Sequence, residues 1–299
     1  MKRNTLFSFL AIAALGLVMA GPASAGSCTF TWNSNASTDA WRTPANWSTL
    51  CAEPGHDLPV AGDTAIIQAV TGDGVAPVID TNDEAVTTLT INTGGVLTIT
   101  GKKLTIDGST QTFNGNLVLS NGSAKVEFTH TAATVTLSGS GGIEGQHPSA
   151  EISLNDSDLD SDVDIFGMMT VKEVSGTTST FKNGSTGIVR ADAAGTLLFA
   201  AGLALEDEAG ALWKAMTDPD AVLNFKEAAD LAGDFVLCAD ADLDFDAAID
   251  TTGCFDESAA NGWIRVAGTN FFCHDDDTCA GGSPACYSSD REFTGTCND

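Results

Sequence analysis

The chain has few basic residues: 13 Lys and Arg stand against 40 Asp and Glu in 299 residues, for a formal net charge of -27. A surface of this sign repels nucleic acid and anionic membranes, so we expect neither as a partner. Tyr occurs once, whereas Gly occurs 31 times. Together with many Thr and Ser, this composition predicts a protein rich in β-strands and turns.

Beyond position 20 the sequence contains no further long apolar run, so no membrane insertion is expected. Lys2 and Arg3 precede the apolar stretch 6–20, and the small residues Ala23 and Ala25 follow. This order is typical of a secretory signal peptide, which we predict for residues 1–25. The protein is then expected to be secreted and to work extracellularly or at the cell surface.

Cysteine is missing from the middle of the chain, since none lies between Cys51 and Cys238. An even number of cysteines in an exported chain indicates disulfides. The simplest pairing joins Cys28 to Cys51 and Cys238 to Cys254, and it leaves three connectivities for the last four. All eight are expected in disulfides: Cys28, Cys51, Cys238, Cys254, Cys273, Cys279, Cys286 and Cys297. We therefore expect disulfides at both ends of the fold and a middle part that is stable without them.

Residues 85–154 repeat a short pattern of two apolar residues at positions i and i+2, separated by Gly- and Asn-rich turns. Such a pair places both side chains on one face of a strand. The pairs are Leu89/Ile91, Leu97/Ile99, Leu104/Ile106, Leu117/Leu119, Val126/Phe128, Val135/Leu137 and Ile152/Leu154. Their spacing is compatible with a sandwich, a barrel or a β-solenoid.

A strand with two inward residues cannot bury its apolar face alone, but stacked coils extend one core from level to level. We therefore predict an all-β fold, a single-stranded parallel β-helix with about 20–27 residues per coil. A Trp-rich cap is expected at its N-terminal end and a small disulfide-stapled region at its C-terminal end.

The head of the chain resembles secreted bacterial surface proteins in which a capping head precedes a parallel β-helix stalk. The matching residues are Thr31-Trp32, Trp41, Asn46-Trp47, Pro59, Gly62-Asp63 and Ile66-Ile67. The resemblance covers roughly residues 29–120 and implies the fold and a cell-surface setting. The cysteine pair that flanks this head departs from the pattern.

These signals divide the chain into five predicted parts. The first two are the signal peptide and an N-terminal cap over residues 26–68. Residues 69–205 are the predicted solenoid. Residues 206–233 are a helical or irregular cap, because Asp218 and Pro219 resemble a helix start and Val222, Phe225 and Ala229 would share one helical face. Residues 234–299 are a region rich in Cys and Asp.

The three Trp residues of the head, Trp32, Trp41 and Trp47, allow two interpretations. They either form a platform on which sugars stack or cover the open end of the first coil. We favour the cover, because large aromatic side chains suit the end of a stack.

Two runs of alternating Asp are the candidate metal ligands, with Ca²⁺ as the one cofactor that they suggest. They comprise Asp156, Asp158, Asp160, Asp162 and Asp164, then Asp240, Asp242, Asp244 and Asp246. On a strand, each run would line one face as a solvated acidic surface. Ca²⁺ needs six to eight convergent oxygens, so a site would require loops or two stacked coils. Neither run matches a calcium-binding loop motif.

No catalytic residue can be named from the sequence. It lacks Gly-x-Ser-x-Gly, His-Glu-x-x-His and a phosphate loop, and the Cys spacings around Cys273 are unlike zinc knuckles. Arg190, Arg265, Lys172 and Lys182 are the basic residues that a lyase-type site would use.

Thr-x-Thr triplets recur in the chain, and some solenoids use a flat face of such pairs to bind ice. The triplets are Thr88/Thr90, Thr98/Thr100, Thr110/Thr112, Thr129/Thr131 and Thr134/Thr136. Their spacing along the sequence is irregular, so we interpret them as exposed strand residues.

The predicted function is therefore a secreted, non-catalytic β-solenoid that serves as an extracellular structural or adhesion module, with an extracellular polysaccharide or a surface protein as partner. One alternative is a carbohydrate-active enzyme or polysaccharide-binding protein with an acidic groove. Another is an acidic protein that binds Ca²⁺ or mineral. A concave face on which a basic residue faces several acids would favour the first alternative, and a smooth face covered with Thr and Ser would favour the scaffold.

Overall fold

The structure is a computed structural model that describes residues 27–33, 36–51, 54–131, 133–174, 176, 178–192, 194–216, 220–238, 241–256, 263–274 and 285–292. In these residues the chain is all-β apart from a short 3₁₀ turn at Pro44–Asn46. The strands coil into a parallel β-solenoid of about eight turns. The predicted fold class is thus confirmed, whereas the predicted signal peptide lies outside the described residues.

The solenoid has three faces, and the first is a nine-stranded sheet. Its strands, in spatial order, are β2 (Trp47–Thr49), β1 (Thr29–Trp32), β3 (Thr64–Ile67), β6 (Thr88–Ile91), β9 (Thr110–Phe113), β12 (Ala133–Ser138), β14 (Ser157–Ser161), β16 (Thr180–Asn183) and β19 (Ala204–Asp207). A four-stranded sheet packs beside β19, with the order β22 (Ala229–Leu231), β25 (Ile249–Thr251), β28 (Phe272–His274) and β29 (Ala285–Tyr287).

The other two faces belong to one 17-stranded sheet. The second face contains β4 (Val78–Ile79), β7 (Val96–Ile99), β10 (Asn116–Leu119), β17 (Ile188–Ala191), β20 (Leu212–Ala215), β23 (Asp234–Leu237) and β26 (Phe255–Asp256). The third contains β5 (Glu84–Val86), β8 (Lys103–Ile106), β11 (Lys125–Phe128), β18 (Gly195–Phe199), β21 (Ala221–Phe225), β24 (Asp242–Phe245), β27 (Trp263–Val266) and β30 (Arg291–Glu292).

Two long strands join the second face to the third. β13 (Gly142–Leu154) pairs with β10 through its first residues and with β11 through its last. β15 (Asp164–Glu173) does the same one level further along. The sequence distance between partners one coil apart is not constant: Glu151 lies opposite Thr170, whereas Met169 lies opposite the more distant Leu197. Coil length therefore varies between levels, and the register of β13 with β15 shifts once, between Gln146 and Glu151.

The core consists of the inward side chains of all three faces. All the apolar pairs of residues 85–154 are fully buried, as predicted. From Phe181 onward the core becomes aromatic. Consecutive rings lie 4.6–6.1 Å apart, centroid to centroid, along Phe181, Phe199, Trp213, Phe225, Phe235, Phe245 and Phe272.

The solenoid extends further than predicted in the C-terminal direction. Residues 206–233 contain strands β20, β21 and β22 where a helix was one expectation, so the helix prediction was wrong. Asp218 and Pro219 lie outside the described residues. The alternation of Leu223 and Phe225, both buried, was the decisive signal, since short apolar runs do not distinguish helix from strand by period alone. Coiling continues into residues 234–274.

Both ends of the stack are closed by a strand that runs the other way. β2 is antiparallel to β1 at the N-terminal end, and β29 and β30 are antiparallel to β28 and β27 at the C-terminal end. An open strand edge invites pairing with another chain. Reversed strands therefore interrupt the parallel stacking at each end.

The disulfides agree with the predicted pairing at the N-terminal end only. Cys28 pairs with Cys51, as predicted, and Cys273 with Cys286. Cys238 and Cys254 are both in disulfides. Because Phe235 pairs with Phe255, these two cysteines are four positions apart along paired strands, or roughly 13 Å. A disulfide requires Cα atoms within about 7 Å, so the predicted 238–254 pairing was wrong. Cys279 and Cys297 lie outside the described residues.

Among the helices of the described part of the chain, none has the length and apolar character needed to cross a bilayer.

Candidate functional site

The Trp residues of the head are structural. Trp32, Trp41 and Trp47 are 0, 2 and 7% exposed, and their rings meet edge to face at the end of the first coil. Trp47 donates its indole N–H to the carbonyl of Trp41 over 2.7 Å. No ring face is left for a sugar, so the interpretation as an end cover is the one that fits.

The first run of aspartates turns a corner of the solenoid. Asp158 and Asp160 point outward from β14, whereas Asp164 belongs to β15 on the second face. Asp160 pairs with Lys182, and an Asp158 oxygen accepts the Thr180 N–H over 2.8 Å. Asp156 lies in a turn with φ of 54°, and an Asp162 oxygen accepts the hydroxyl of Thr186 over 3.2 Å. Asp158, Asp160 and Asp162 thus bond to the next coil rather than to one another.

In the second run, Asp242 and Asp244 point outward from β24, and residues of neighbouring coils bond to Asp242, Asp244 and Asp246. Arg265 donates to Asp242 over 3.0 and 3.2 Å, Asn224 donates to Asp244 over 3.0 Å, and Lys226 pairs with Asp246. Burial raises the pKa of Asp244, and Asp246 adds to the effect. Asp240 lies outside the described residues.

The described aspartates of the two runs form no cluster of convergent ligands. Within the described residues, the one group of three or more His, Cys, Asp or Glu whose donor atoms lie within 4.8 Å of one another is Cys28, Cys51 and His56. Calcium binding by the aspartates therefore has no geometric support there.

The four basic candidates all pair with acids of an adjacent coil. Two of them face two acids each. Arg190 lies 3.7 Å from Asp164 and 3.4 Å from Asp192, and its guanidinium stacks over Phe166 at 4.6 Å. Lys182 contacts Asp160 and Glu208 on the first face. Burial raises the pKa of Asp164 and of Asp192, and Arg190 partly offsets both shifts. Lys172, Lys182 and Arg265 pair with Glu151, Asp160 and Asp242, respectively.

The first face carries an ordered array of uncharged side chains, here called the threonine face. One outward pair stands at each of five successive levels, in parallel register. The pairs are Thr29/Thr31, Thr64/Ile66, Thr88/Thr90, Thr110/Thr112 and Thr136/Ser138. All ten side chains are half-buried or exposed.

The geometry of a parallel sheet makes this array a lattice. Levels repeat at about 4.8 Å, and the two members of a pair lie about 6.6 Å apart along the strand. None of the ten positions is ionisable, although the chain carries a net charge of -27. The threonine face is thus a flat neutral patch on an acidic molecule.

Sequence reasoning missed this array because it compared triplets that belong to different faces. Thr98 points outward from the second face, and Thr129 and Thr131 line a corner. Register decides which pairs align: Thr64 lies opposite Thr88, and Thr110 lies opposite Thr136, although the coils that separate them differ in length. A signal in the sequence was the Thr at the start of β1, β3, β6 and β9.

A buried glutamine supports the threonine face from within. Gln111 is fully buried between the outward residues Thr110 and Thr112. Its side chain accepts the N–H of Leu89 over 2.6 Å and donates to the carbonyl of Gly108 over 2.7 Å. Gln111 therefore replaces backbone ladder bonds at this level and holds two coils in register.

Beyond the fifth level the same face becomes charged. Thr136 is followed in register by Asp160, Lys182 and Glu206. Lys182 bonds to Glu208 as well as Asp160, and the Glu208 hydrogen bond is the main cause that raises the pKa of Lys182. The neutral patch therefore ends at the fifth level, on the side of the C-terminal coils.

Comparison of the chain with protein-family models, with curated proteins and with solved structures found no match. The fold and the geometry of its faces therefore carry the functional argument.

Proposed function

We propose that this protein is a secreted, non-catalytic β-solenoid that serves as a structural or adhesion module outside the cell, and that it adheres through the threonine face. The observation that carries the proposal is the in-register array of ten uncharged side chains at five levels. Its partner is an extended, neutral, repetitive surface such as a polysaccharide fibre.

Physical reasons favour contact through this patch. Burying a charge against a surface costs free energy unless the charge is paired, and the threonine face buries none. The β-branched side chains have restricted rotamers, so little conformational entropy is lost on contact. Each hydroxyl can donate and accept a hydrogen bond, while each methyl group contributes apolar area. Repetition then adds many weak contacts.

A charge placed in the centre of the patch tests the proposal. Thr88→Lys puts an ammonium group on the third level, and we expect at least a tenfold loss of binding to the surface that the wild-type protein retains. The matched control is Thr98→Lys, which adds the same charge to the same coil on the second face. Binding is measured on a glycan array with and without Ca²⁺, on insoluble neutral polysaccharides, and on ice as thermal hysteresis.

The outcomes separate the alternatives. If Thr88→Lys weakens binding and Thr98→Lys does not, the result supports adhesion through the threonine face, and the surface on which binding is lost identifies the partner. If Thr88→Lys reduces only the thermal hysteresis, the partner is ice rather than a polysaccharide. Equal effects of the two substitutions, or no retention on any surface, would contradict adhesion through this face.

A second candidate function rests on Arg190, the basic residue that faces two acids on the second face. In this alternative the protein binds or cleaves an acidic polysaccharide there, with Arg190 contacting the sugar carboxylate. Release of unsaturated sugar from acidic glycans by the wild-type protein, abolished by Arg190→Ala, would establish this function in place of the first.

A further inference from the structure

The N-terminal cap holds a cluster that the proposed function does not use. The Nδ1 atom of His56 lies 3.4 Å from the sulfur of Cys28 and 3.8 Å from that of Cys51. The imidazole is 14% exposed and packs against the ring of Phe30 at 5.3 Å. Three groups that bind soft metal ions therefore converge on one point between the cap and the first coil.

A buried carboxylate fixes the orientation of the imidazole. Asp63, only 1% exposed, lies 2.8 Å from Nε2 of His56 through its Oδ2 atom. The same carboxylate accepts the backbone N–H groups of Cys28 and Val60, each over 2.9 Å. A carboxylate only accepts, so a neutral imidazole that donates to it from Nε2 keeps its lone pair on Nδ1, the nitrogen that faces the two sulfurs. This carboxylate–histidine arrangement is the one that supports metal-bound histidines.

The distances agree with tetrahedral coordination. With Zn–S near 2.3 Å and Zn–N near 2.0–2.1 Å, a sulfur and a nitrogen ligand of one zinc ion lie about 3.6 Å apart. The two Nδ1–Sγ distances, 3.4 and 3.8 Å, bracket this value. The sulfurs, bonded to each other in the disulfide, would have to separate to about 3.8 Å, the edge between two sulfur ligands.

We propose that the reduced cap binds one Zn²⁺ through Cys28, Cys51 and His56, with Asp63 as the positioning residue. Reduction by a thiol supplies two electrons and two protons, so the S–S bond becomes two thiols while the reductant becomes a disulfide. Zn²⁺ then displaces the two thiol protons and accepts the Nδ1 lone pair. Water or another donor completes the fourth position.

The same residues thus close the cap in either redox state. In the disulfide state a covalent bond ties Cys28, which leads into β1, to Cys51, which follows β2. In the reduced state the zinc ion makes the tie. Both ties therefore join the end of β2 to the start of β1, the strand that supplies the first level of the threonine face.

Cobalt binding to the full-length protein tests the proposal, because Co²⁺ bound by thiolates has a characteristic charge-transfer absorption. A phosphine, which is oxidised to its oxide, replaces the thiol reductant so that no added thiol competes for metal. We expect one tightly bound ion in the reduced wild-type protein and none in the oxidised protein. Zn²⁺ should displace the cobalt.

Variants locate the ion. The double substitution Cys28→Ser/Cys51→Ser should weaken binding at least 100-fold, whereas Cys273→Ser/Cys286→Ser, at the other end of the rod, should leave it unchanged. His56→Ala should weaken it at least tenfold, with exposed His147→Ala as the control. Asp63→Asn should weaken it about 10- to 100-fold.

Equal binding by the wild-type protein and the Cys28→Ser/Cys51→Ser variant would overturn the proposal, as would equal binding by His56→Ala and His147→Ala. The fluorescence of the buried Trp residues reports whether the cap is folded. If loss of both cysteines unfolds the cap, the two histidine variants decide, because they retain both sulfurs. Adhesion is not involved in any of these measurements, so the two proposals fail independently.

Discussion

The N-terminal and C-terminal halves of the rod are built on the same coil but stabilised differently. Up to β15 the core is mostly aliphatic, as with Leu97 and Leu104, and the first face is neutral over five levels. From β16 the core is a continuous stack of aromatic rings, and all three faces carry ion pairs between coils. The fold therefore fixes neither the core chemistry nor the surface chemistry.

This difference indicates which part of the solenoid surface is available to bind a ligand. In the C-terminal half the outward side chains are engaged with one another, as Arg265 is with Asp242. In the N-terminal half the threonine face has its ladder bonds and Gln111 beneath it, and its outward side chains are half-buried or exposed and carry no ion pair. A neutral, repetitive surface is available only there among the described faces.

The largest effects are expected from core truncation. Phe225→Ala removes a ring that lies 5.4–5.8 Å from the rings of Phe199, Trp213, Phe235 and Phe245, and should cost about 3–5 kcal/mol. Because each coil contacts only its neighbours, hydrogen exchange should show the loss in the C-terminal coils. The control Leu104→Ala should cost about 2–5 kcal/mol, with lost protection in the N-terminal coils. Equal loss along the whole rod from either change would show one cooperative unit.

Asp207 tests a polar anchor of the C-terminal half. Its carboxylate accepts the indole N–H of Trp213 over 2.7 Å and the backbone N–H groups of Ala232 and Gly233. Asp207→Ala leaves these donors without their acceptor and should lower the free energy of unfolding by about 2–3 kcal/mol. Asp207→Asn keeps one acceptor oxygen and should cost less. Thermal or denaturant unfolding measures both variants. If Asp207→Asn is no more stable than Asp207→Ala, the carboxylate does not act as the acceptor described.

Gln111 provides the corresponding test in the N-terminal half. Gln111→Leu has a similar size but leaves the N–H of Leu89 and the carbonyl of Gly108 without this partner, at a cost of about 1–2 kcal/mol. Because the glutamine sets the register under the threonine face, binding through that face should weaken as well. If Gln111→Leu is less stable but binds normally, adhesion does not depend on the register that Gln111 sets.

The smallest effect is a pH dependence that differs between the halves. Burial raises the pKa of Asp164, Asp192, Asp207 and Asp244 above the ordinary 3.8, and all four lie from β15 onward. A raised pKa in the folded state means that the folded state binds protons more readily, so stability falls as pH rises through this window.

Acidification from pH 7 toward these raised pKa values should therefore increase the hydrogen-exchange protection of the C-terminal coils. In the N-terminal half, burial raises the pKa of Glu84; burial of Glu127 acts in the same direction, but hydrogen bonds from Lys125 and Lys103 lower its pKa overall. These two effects oppose each other, so a smaller change is expected there. A larger gain of hydrogen-exchange protection in the N-terminal coils would contradict the attribution of this pH dependence to the four buried aspartates.

Much of the core was predictable because it depends on local alternation. The pairs from Leu89/Ile91 to Ile152/Leu154 point inward as the period of two requires, and the Cys28–Cys51 pairing followed from their isolation. The helix predicted within residues 206–233 was wrong because three apolar residues at helical spacing also occur where strands alternate. The position of Asp164 failed because the corner at Val163 turns it onto another face.

The amino-acid sequence by itself determined the all-β character, the inward residues and the need to stack, because alternation and turn residues act over a few positions. Only the tertiary structure decided which outward residues become neighbours. Turns of different length separate Thr88 from Thr110 and Thr110 from Thr136, and parallel register removes the difference. The cluster of Cys28, Cys51, His56 and Asp63 arises in the same way, because hydrogen bonds of Asp63 bring distant residues to one place.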